Sequence, residues 1–206
     1  MKRARDDTDD NPVEQAPKKA KLDESLIEGL SLIPDFITVT EEKELLTYID
    51  AQKWSSSIGR RVQQYGFEYS YAALNKTPKP TNAIPDKLLA VAKRLTEQKL
   101  MPDLAEQLIV NEYTPGQGIS PHFDHAVHFG AVISSVSLGS ACVMDFKHRS
   151  TGETKSVVLE PRSALVLSGP SRYDWFHSIA KRRTDKIGTR VIQRGRRVSM
   201  TFRTMK

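Results

Sequence analysis

The spacing of apolar residues predicts two helices in the first half of the chain. The first has its apolar face at Leu45, Leu46 and Ile49, and either Thr38 or Thr40 can cap its amino terminus. The second helix begins after Pro85-Asp86, because proline is favoured at helix starts. Its apolar positions also recur at helical spacing and are Leu88, Val91, Ala92 and Leu95. Both helices are expected to support a core rather than to carry function.

From Leu108 onward the pattern changes to short β-rich runs that turn residues separate. The predicted strands are 108–113, 132–138, 142–146, 156–159, 164–167 and 198–202. Strands at this spacing indicate a jelly roll or a barrel. The predicted fold class is therefore α+β, mainly β, with supporting helices on the amino-terminal side.

The run 132–138 alternates apolar and serine residues, as a β-strand with two different faces does. Val132, Val136 and Leu138 share one face, and Ser135 and Ser137 share the other. This alternation predicts a strand that is buried on one side only.

Residues 1–24 are polar and contain six basic and seven acidic side chains. They have too little apolar surface to offset the entropy of ordering, so we predict a disordered tail before a folded domain at 25–206. Basic clusters at 2–5 and 17–21 have the spacing of a bipartite nuclear localisation signal. We expect the protein in the nucleus, the cytoplasm or both.

The net charge of +6 is concentrated in residues 181–206, where ten Lys or Arg face one acidic residue. The cluster is either a solvated basic surface or a groove that follows nucleic-acid phosphates. The single cysteine, Cys142, cannot form an internal disulfide, which fits a reducing compartment. No apolar run reaches the roughly 18 to 20 residues that span a bilayer, so we expect no membrane association. We also expect a monomer.

Three side chains are candidate metal ligands. His122 and Asp124 stand two residues apart on one face of an extended segment, and His177 follows two aromatic residues. Two histidines and one carboxylate are the ligands of a facial Fe(II) site, which keeps three coordination positions open. Arg197 and Arg203 can then bind an acidic co-substrate. The combination indicates an oxygenase.

Other interpretations of the histidines stay open. His122, His125 and His128 fall within seven residues, which is also consistent with a chance cluster or a different metal site. Zinc is the weaker alternative, because tetrahedral zinc sites draw on more Cys and His than this chain offers. His177 alone is also consistent with a hydrogen-bonded histidine of the core.

From about Ile109 to Arg203 the chain resembles the AlkB family of Fe(II)- and 2-oxoglutarate-dependent dioxygenases. The motifs that carry the resemblance are Asn-x-Tyr, Pro-Gly, His-x-Asp, Ser-Leu-Gly, Ser-Arg-Tyr-x-Trp-x-His and Arg-x-x-x-Thr-Phe-Arg, in the family's order. The resemblance implies a double-stranded β-helix of jelly-roll type. The iron ligands that it implies are His122, Asp124 and His177. The residues that it implies for 2-oxoglutarate are Asn111, Tyr113, Arg197 and Arg203.

The resemblance also implies the reaction, in which 2-oxoglutarate and O2 become succinate and CO2 while a substrate carbon is hydroxylated. On a base N-methyl group this chemistry releases formaldehyde, so we predict oxidative demethylation of alkylated bases in DNA or RNA. Segments 144–148 and 171–177 most resemble the branch that hydroxylates a modified wobble uridine in tRNA, which is the alternative. A protein-modifying or RNA-binding member of the same fold is a further alternative.

Segment 59–69 is the candidate for substrate recognition. Tyr65, Phe67 and Tyr69 alternate and would share one strand face, while Arg60 and Arg61 stand close enough to meet phosphate. We predict that Arg61 and Tyr65 contact the nucleic acid. The alternative is an aromatic strand face that packs on the core.

Overall fold

The computed structural model describes residues 27–56, 59–68 and 77–206. The predicted tail at 1–24 lies outside them, so its disorder and its localisation signal stay predictions. In chain order the strands are β1 (Leu30–Ile33), β2 (Val62–Tyr65), β3 (Phe67–Glu68), β4 (Lys79–Pro80), β5 (Gln107–Tyr113), β6 (Ile119–His122), β7 (Phe129–Gly139), β8 (Cys142–His148), β9 (Thr154–Leu159), β10 (Ala164–Leu167), β11 (Trp175–Ile179), β12 (Thr184–Ile187), β13 (Arg190–Gln193) and β14 (Arg197–Met205). The helices are α1 (Val39–Asp50), α2 (Asp86–Glu97) and α3 (Gly169–Tyr173).

Two antiparallel sheets form the body of the fold. The major sheet has the strand order β1-β10-β7-β14-β5-β2, and the minor sheet has the order β6-β11-β8-β9. The chain passes repeatedly from one sheet to the other, as it does in a jelly roll. Two short hairpins, β3 with β4 and β12 with β13, are additions to this body. The predicted fold class is confirmed.

All six predicted strands are present. The strand at Ala164–Leu167 has the predicted bounds, and the other five are longer than predicted. Strands β1, β6 and β11 and both hairpins were not predicted. The site strands β6 and β11 are short and mix proline, histidine and serine with apolar residues, so neither shows the clean alternation on which strand prediction depends.

Apolar residues form two clusters, one on each side of the major sheet. The first joins the helices to the sheet and includes Leu45, Ile49, Leu88, Leu95, Val136, Leu138, Met200 and Phe202. The second lies between the two sheets and includes Ile109, Ile133, Phe146, Leu159, Leu165 and Trp175. The major sheet is therefore covered on both faces, which leaves its interior residues little contact with water.

Strand β14 shows how this arrangement creates a polar interior. Val198, Met200 and Phe202 belong to the cluster that contacts the helices. Because successive side chains alternate between faces, the polar residues of the strand point the other way, into the space between the sheets. These residues are Arg197, Ser199, Thr201 and Arg203.

The expectation that 132–138 is buried on one side only is wrong. Strand β7 lies between β10 and β14 inside the major sheet, and its serine face is turned toward the other sheet. Ser137 is buried, and Ser135 lines a cavity between the sheets. The serines lie beside the polar residues that line this cavity, in an interior that is otherwise apolar. The sequence pattern alone does not distinguish this case from exposure to solvent.

Both helix predictions are confirmed. Thr38 caps α1, because its hydroxyl accepts from the Glu41 backbone N–H at 3.1 Å while its own N–H donates to the Glu41 carboxylate at 2.8 Å. Helix α1 buries Leu45 and Ile49. Helix α2 buries the four predicted residues Leu88, Val91, Ala92 and Leu95. None of the helices in the described ranges has the length and apolar character needed to cross a bilayer.

We expect Thr38→Ala to lower the free energy of unfolding by about 1 kcal/mol, because both halves of the capping box depend on this residue. Denaturant titration measures the change. Thr40→Ala is the matched control, since Thr40 lies within α1 and does not cap it. Equal losses for both variants would show that the cap does not stabilise the helix.

Candidate active site

The pairing of β6 with β11 brings the two candidate histidine ligands together. His122 and His177 are direct partners in the antiparallel register, and their ring centroids lie 4.4 Å apart. Asp124 follows two residues after the end of β6, and its Oδ2 lies 3.8 Å from His177 Nε2. Three side chains from two neighbouring segments of the chain therefore meet at one end of the minor sheet.

His122 is held in the tautomer that metal binding requires. Its Nδ1 lies 2.8 Å from the Ser120 carbonyl oxygen, which can only accept a hydrogen bond. Nδ1 therefore carries the proton, and Nε2 keeps its lone pair for a metal ion.

His177 and Asp124 are in the protonation states of metal ligands. Burial lowers the pKa of His177 to about 3, so its imidazole is neutral near pH 7. Burial alone would raise the pKa of the Asp124 carboxyl, but the Arg203 guanidinium outweighs it and holds this pKa below its ordinary value. His177 thus offers a neutral nitrogen donor, and Asp124 offers an anionic oxygen donor.

All seven residues predicted for iron and 2-oxoglutarate line one cavity of about 60 Å³ between the two sheets. We call it the inner cavity. His122, Asp124 and His177 come from the minor-sheet side. The major sheet contributes Asn111 and Tyr113 from β5 and Arg197 and Arg203 from β14.

Arg197 is 3% exposed and forms no ion pair with any residue in the described ranges. Its Nη2 donates to Ser137 Oγ at 2.9 Å, and its guanidinium carbon lies 5.4 Å from the centroid of the Tyr113 ring. A buried guanidinium without a carboxylate partner is costly. An acidic co-substrate in the inner cavity would supply the missing negative charge.

Arg203 connects the two halves of the cavity. It forms an ion pair with Asp124, and its Nη1 donates to Gln107 Oε1 at 2.9 Å. The guanidinium therefore lies beside the candidate iron ligand, as the family resemblance implies for this residue. Gln107 fixes its orientation from the opposite side.

The donor set fits Fe(II), since two imidazoles and one carboxylate leave open positions for a chelating 2-oxo acid and O2. The three side chains lie near one another but do not form a compact set of metal ligands. No three His, Cys, Asp or Glu residues in the described ranges do so. The Arg203 ion pair occupies one Asp124 oxygen. The unpaired Arg197 fits the distal carboxylate of 2-oxoglutarate.

The alternative metal groupings find no support in the geometry. His125 and His128 stack on each other with centroids 4.1 Å apart and ring planes 20° apart. They form no three-residue metal-ligand group with His122 or any other described His, Cys, Asp or Glu. Cys142 is buried in the apolar cluster between the sheets and does not line the inner cavity. A zinc site of cysteine and histidine is therefore not formed by these residues.

Arg172, in α3, contacts the segment that carries Asp124, and the sequence had suggested no role for it. It is 2% exposed, and its guanidinium donates to the Asp124 carbonyl at 2.6 Å and to the His125 carbonyl at 3.4 Å. It thus holds the backbone of the segment that carries Asp124. The signal was present, because Arg172 is the arginine of the Ser-Arg-Tyr-x-Trp-x-His motif.

The structure corrects the prediction for Tyr65. Tyr65 ends β2, is 8% exposed and belongs to the core cluster beneath the helices. Gly66 then breaks the run, because its φ of 75° and its approach to the Glu106 carbonyl leave no room for a Cβ atom. Phe67 therefore begins a separate strand, and Tyr69 lies outside the described residues.

Arg61 has a structural role in this fold. Its guanidinium forms a two-bond ion pair with Glu112 at 2.6 Å and lies over the Trp54 ring. It lines neither the inner cavity nor the larger one described next. Contact between its half-exposed side chain and nucleic acid stays a prediction.

A larger cavity of about 870 Å³ opens beside the candidate ligands, and we call it the outer cavity. The two cavities share His122, Asp124 and Arg203, so they meet at the metal site. Arg60 and Lys181 contribute positive charge to its walls.

Comparison with known proteins agrees with this geometry. Residues 53–203 match the family model of the 2OG-Fe(II) oxygenase superfamily. An Arabidopsis thaliana protein named "Alkylated DNA repair protein ALKBH8 homolog" is 38% identical, over 87% of this chain and 59% of its own length. An uncharacterized protein of Acanthamoeba polyphaga mimivirus is 35% identical, over 87% of this chain and 86% of its own.

A third relative is "tRNA (carboxymethyluridine(34)-5-O)-methyltransferase alkbh8" of Xenopus tropicalis, which is 38% identical over 85% of this chain but only 29% of its own length. Among solved structures, OsALKBH1 matches with a TM-score of 0.62 at 16% identity, over 85% of this chain and 98% of its own, which shows the fold alone. The chain belongs to the 2OG-Fe(II) oxygenase superfamily and, within it, to the AlkB family. It is therefore an oxidoreductase that uses Fe(II), 2-oxoglutarate and O2.

We expect Arg172→Met to weaken metal binding by about 10- to 100-fold, because the Asp124 segment loses the donors that orient it. Calorimetric titration with Mn(II) measures the affinity without turnover. Arg190→Met is the control, since Arg190 is exposed and pairs with Glu160. Neither residue lines the inner cavity or the outer cavity. A folded Arg172→Met protein with unchanged Mn(II) affinity would exclude this role.

Proposed function

We propose that His122, Asp124 and His177 hold Fe(II) in this chain. The observation that carries the assignment is that these three side chains line one buried cavity together with the four residues proposed for the co-substrate. Their donor atoms, tautomer and charge are those of an Fe(II) site, as described above. Buried polar residues without a common ligand would have no reason to combine a shared cavity with these donor properties.

Different residues are proposed to bind the two ends of 2-oxoglutarate. Arg197 is proposed to bind the distal carboxylate with the help of Tyr113, since a guanidinium can form two parallel bonds to a carboxylate. Arg203 is proposed to face the C1 carboxylate beside Asp124. Asn111 adds a hydrogen bond. When bound, Fe(II), 2-oxoglutarate and O2 supply the oxidising chemistry, and the chain orients the substrate and excludes water.

The outer cavity is proposed to take a base of a nucleic acid. Phe123 is 36% exposed at this cavity and stacks on Phe176 with ring centroids 5.0 Å apart. Aromatic rings of this kind stack with bases, and positive side chains such as Arg60 and Lys181 attract phosphates. A base within a duplex must leave the stack to reach the metal site. The proposed reaction is oxidative demethylation of an alkylated base in DNA or RNA.

Hydroxylation of a modified wobble uridine in tRNA is the second candidate. The names of the 38% identical Xenopus relative and of a 34% identical mouse relative state that those proteins are tRNA carboxymethyluridine methyltransferases. The chain spans 29% and 33% of their lengths, so their named activity cannot be assigned to the matched region alone. These two names support tRNA as the polymer, whereas the name of the 38% identical Arabidopsis relative refers to alkylated DNA.

One experiment separates these reactions. Protein loaded anaerobically with Fe(II) is given 2-oxoglutarate, O2 and either N-methylated DNA and RNA oligonucleotides or tRNA anticodon stem-loops with 5-substituted uridines. Mass spectrometry of the nucleosides should show loss of a methyl group with formaldehyde release, and the tRNA alternative predicts gain of one oxygen atom instead. Asp124→Ala should abolish both products. Succinate formation without a change in any nucleic acid would contradict a nucleic-acid substrate.

We expect Phe123→Ala to weaken oligonucleotide binding by about tenfold, because one base loses its stacking partner. Phe123→Trp keeps an aromatic face and should bind within about threefold of the unmodified protein. Fluorescence anisotropy with a labelled strand measures both. Equal weakening by the two variants would point to disturbance of the neighbouring ligands rather than to lost stacking.

A further inference from the structure

Arg60 lies at the wall between the two cavities. It lines the outer cavity, while its guanidinium contacts two residues of the inner cavity. Its Nε donates to Asn111 Oδ1 at 2.9 Å, and its guanidinium carbon lies 5.4 Å from the centroid of the Tyr113 ring. One side chain thus contacts both of the proposed co-substrate residues on β5.

The bond from Arg60 fixes which way the Asn111 amide faces. A guanidinium has only donors, so the amide must present its oxygen to Arg60. Asn111 is 6% exposed and lines the inner cavity, so the two N–H donors of the amide are the groups left for that cavity. Donors are what a dianionic co-substrate needs. The reversed amide would turn an oxygen toward its carboxylates.

The guanidinium groups of two arginines contact the Tyr113 ring. Arg60 and Arg197 each place their guanidinium carbon 5.4 Å from its centroid. Positive groups at this distance are attracted to an aromatic ring, and their attraction is stronger where water is excluded. Together they restrain a side chain whose hydroxyl is proposed to bind the distal carboxylate.

The Arg60 segment is also tied to the turn before β6. Gln117 Nε2 donates to the Gly59 carbonyl at 3.0 Å, and the Arg61 carbonyl accepts from the Glu112 N–H at 3.0 Å. These bonds hold the backbone on both sides of Arg60. The guanidinium is therefore presented from a fixed position rather than from a free loop.

We propose that Arg60 is a positioning residue for the co-substrate, acting through the amide of Asn111 and the ring of Tyr113. The inference rests on the proposed assignment of those two residues to 2-oxoglutarate. It does not depend on which nucleic acid is the substrate. Arg60 itself acts on the co-substrate through its neighbours.

The test measures the dissociation constant of 2-oxoglutarate from Mn(II)-loaded protein by calorimetry, which needs no turnover. Arg60→Met keeps an unbranched stem that reaches about as far as Nε but removes the donors and the charge, and it should raise this constant about tenfold. Arg60→Lys keeps a donor and a charge and should stay within about threefold. Mn(II) affinity should be unchanged in both variants, which separates lost positioning from general disruption.

Arg61→Met is the matched neighbour control. Arg61 binds Glu112 and Trp54 and lines neither cavity, so this variant should lose stability while 2-oxoglutarate affinity changes by less than about twofold. If Arg61→Met weakens 2-oxoglutarate as much as Arg60→Met does, the effect belongs to the segment and the proposal is overturned.

A double-mutant cycle with Asn111→Ala tests the route of the effect. In the Asn111→Ala background, Arg60→Met should raise the dissociation constant of 2-oxoglutarate by a clearly smaller factor than in the unmodified protein. The reason is that the amide through which Arg60 acts is already absent. A full additional tenfold loss would mean that Arg60 does not act through Asn111 and would overturn the proposal. If Asn111→Ala alone leaves the affinity unchanged, the assignment of Asn111 to the co-substrate fails first. If Asn111→Ala weakens binding and Arg60→Met does not, only the role of Arg60 fails.

Discussion

The buried ion pair between Arg203 and Asp124 is the interaction on which the site depends. It joins β14 of the major sheet to the segment that follows β6 of the minor sheet, so the two sheets meet through it. Asp124 has the guanidinium of Arg203 at its carboxylate and that of Arg172 at its carbonyl. Removing one member of a buried pair typically costs about 3 to 5 kcal/mol, because the other charge is left without a partner. The same pair keeps the carboxylate ionised for a metal ion.

The alternation of β14 explains how a single strand serves both the core and the chemistry. Its apolar face packs against α1 and α2, and that packing stabilises the strand. Its polar face then has to lie between the sheets. Arginine, serine and threonine side chains are unfavourable there unless they find polar partners. A cavity with anionic occupants is the environment that such a face requires. Because the helices cover the apolar face of β14, its polar residues are directed into the inner cavity beside the candidate ligands.

Much of this could be predicted from the sequence, for identifiable reasons. The helices and the long strands have a regular apolar period, and His122, Asp124 and His177 are residue types that are typical of a facial Fe(II) site. The pairing of β6 with β11 could not be predicted, because short strands with polar residues have no period to detect. Tyr65 was misplaced because an alternating aromatic run looks the same whether Gly66 interrupts the strand or not. Arg172 lies in the Ser-Arg-Tyr-x-Trp-x-His motif, but the motif does not distinguish a buried guanidinium from a surface one.

The charges of the two cavities show why their occupants belong together. Arg197 is buried without a carboxylate, while Asp124 shares its charge with Arg203. An Fe(II) ion alone would add positive charge beside Arg203, and 2-oxoglutarate alone would bring two negative charges beside Asp124. Bound together, their charges cancel, Arg197 gains its missing partner, and the carboxylate of Asp124 is shared between a guanidinium and a metal ion. Because the outer cavity shares His122, Asp124 and Arg203 with the inner one, a substrate base would meet a site in which the charges of the metal ion and the co-substrate already cancel each other. Its affinity then rests on the aromatic surface of the outer cavity and on attraction between its phosphates and the basic residues at the walls.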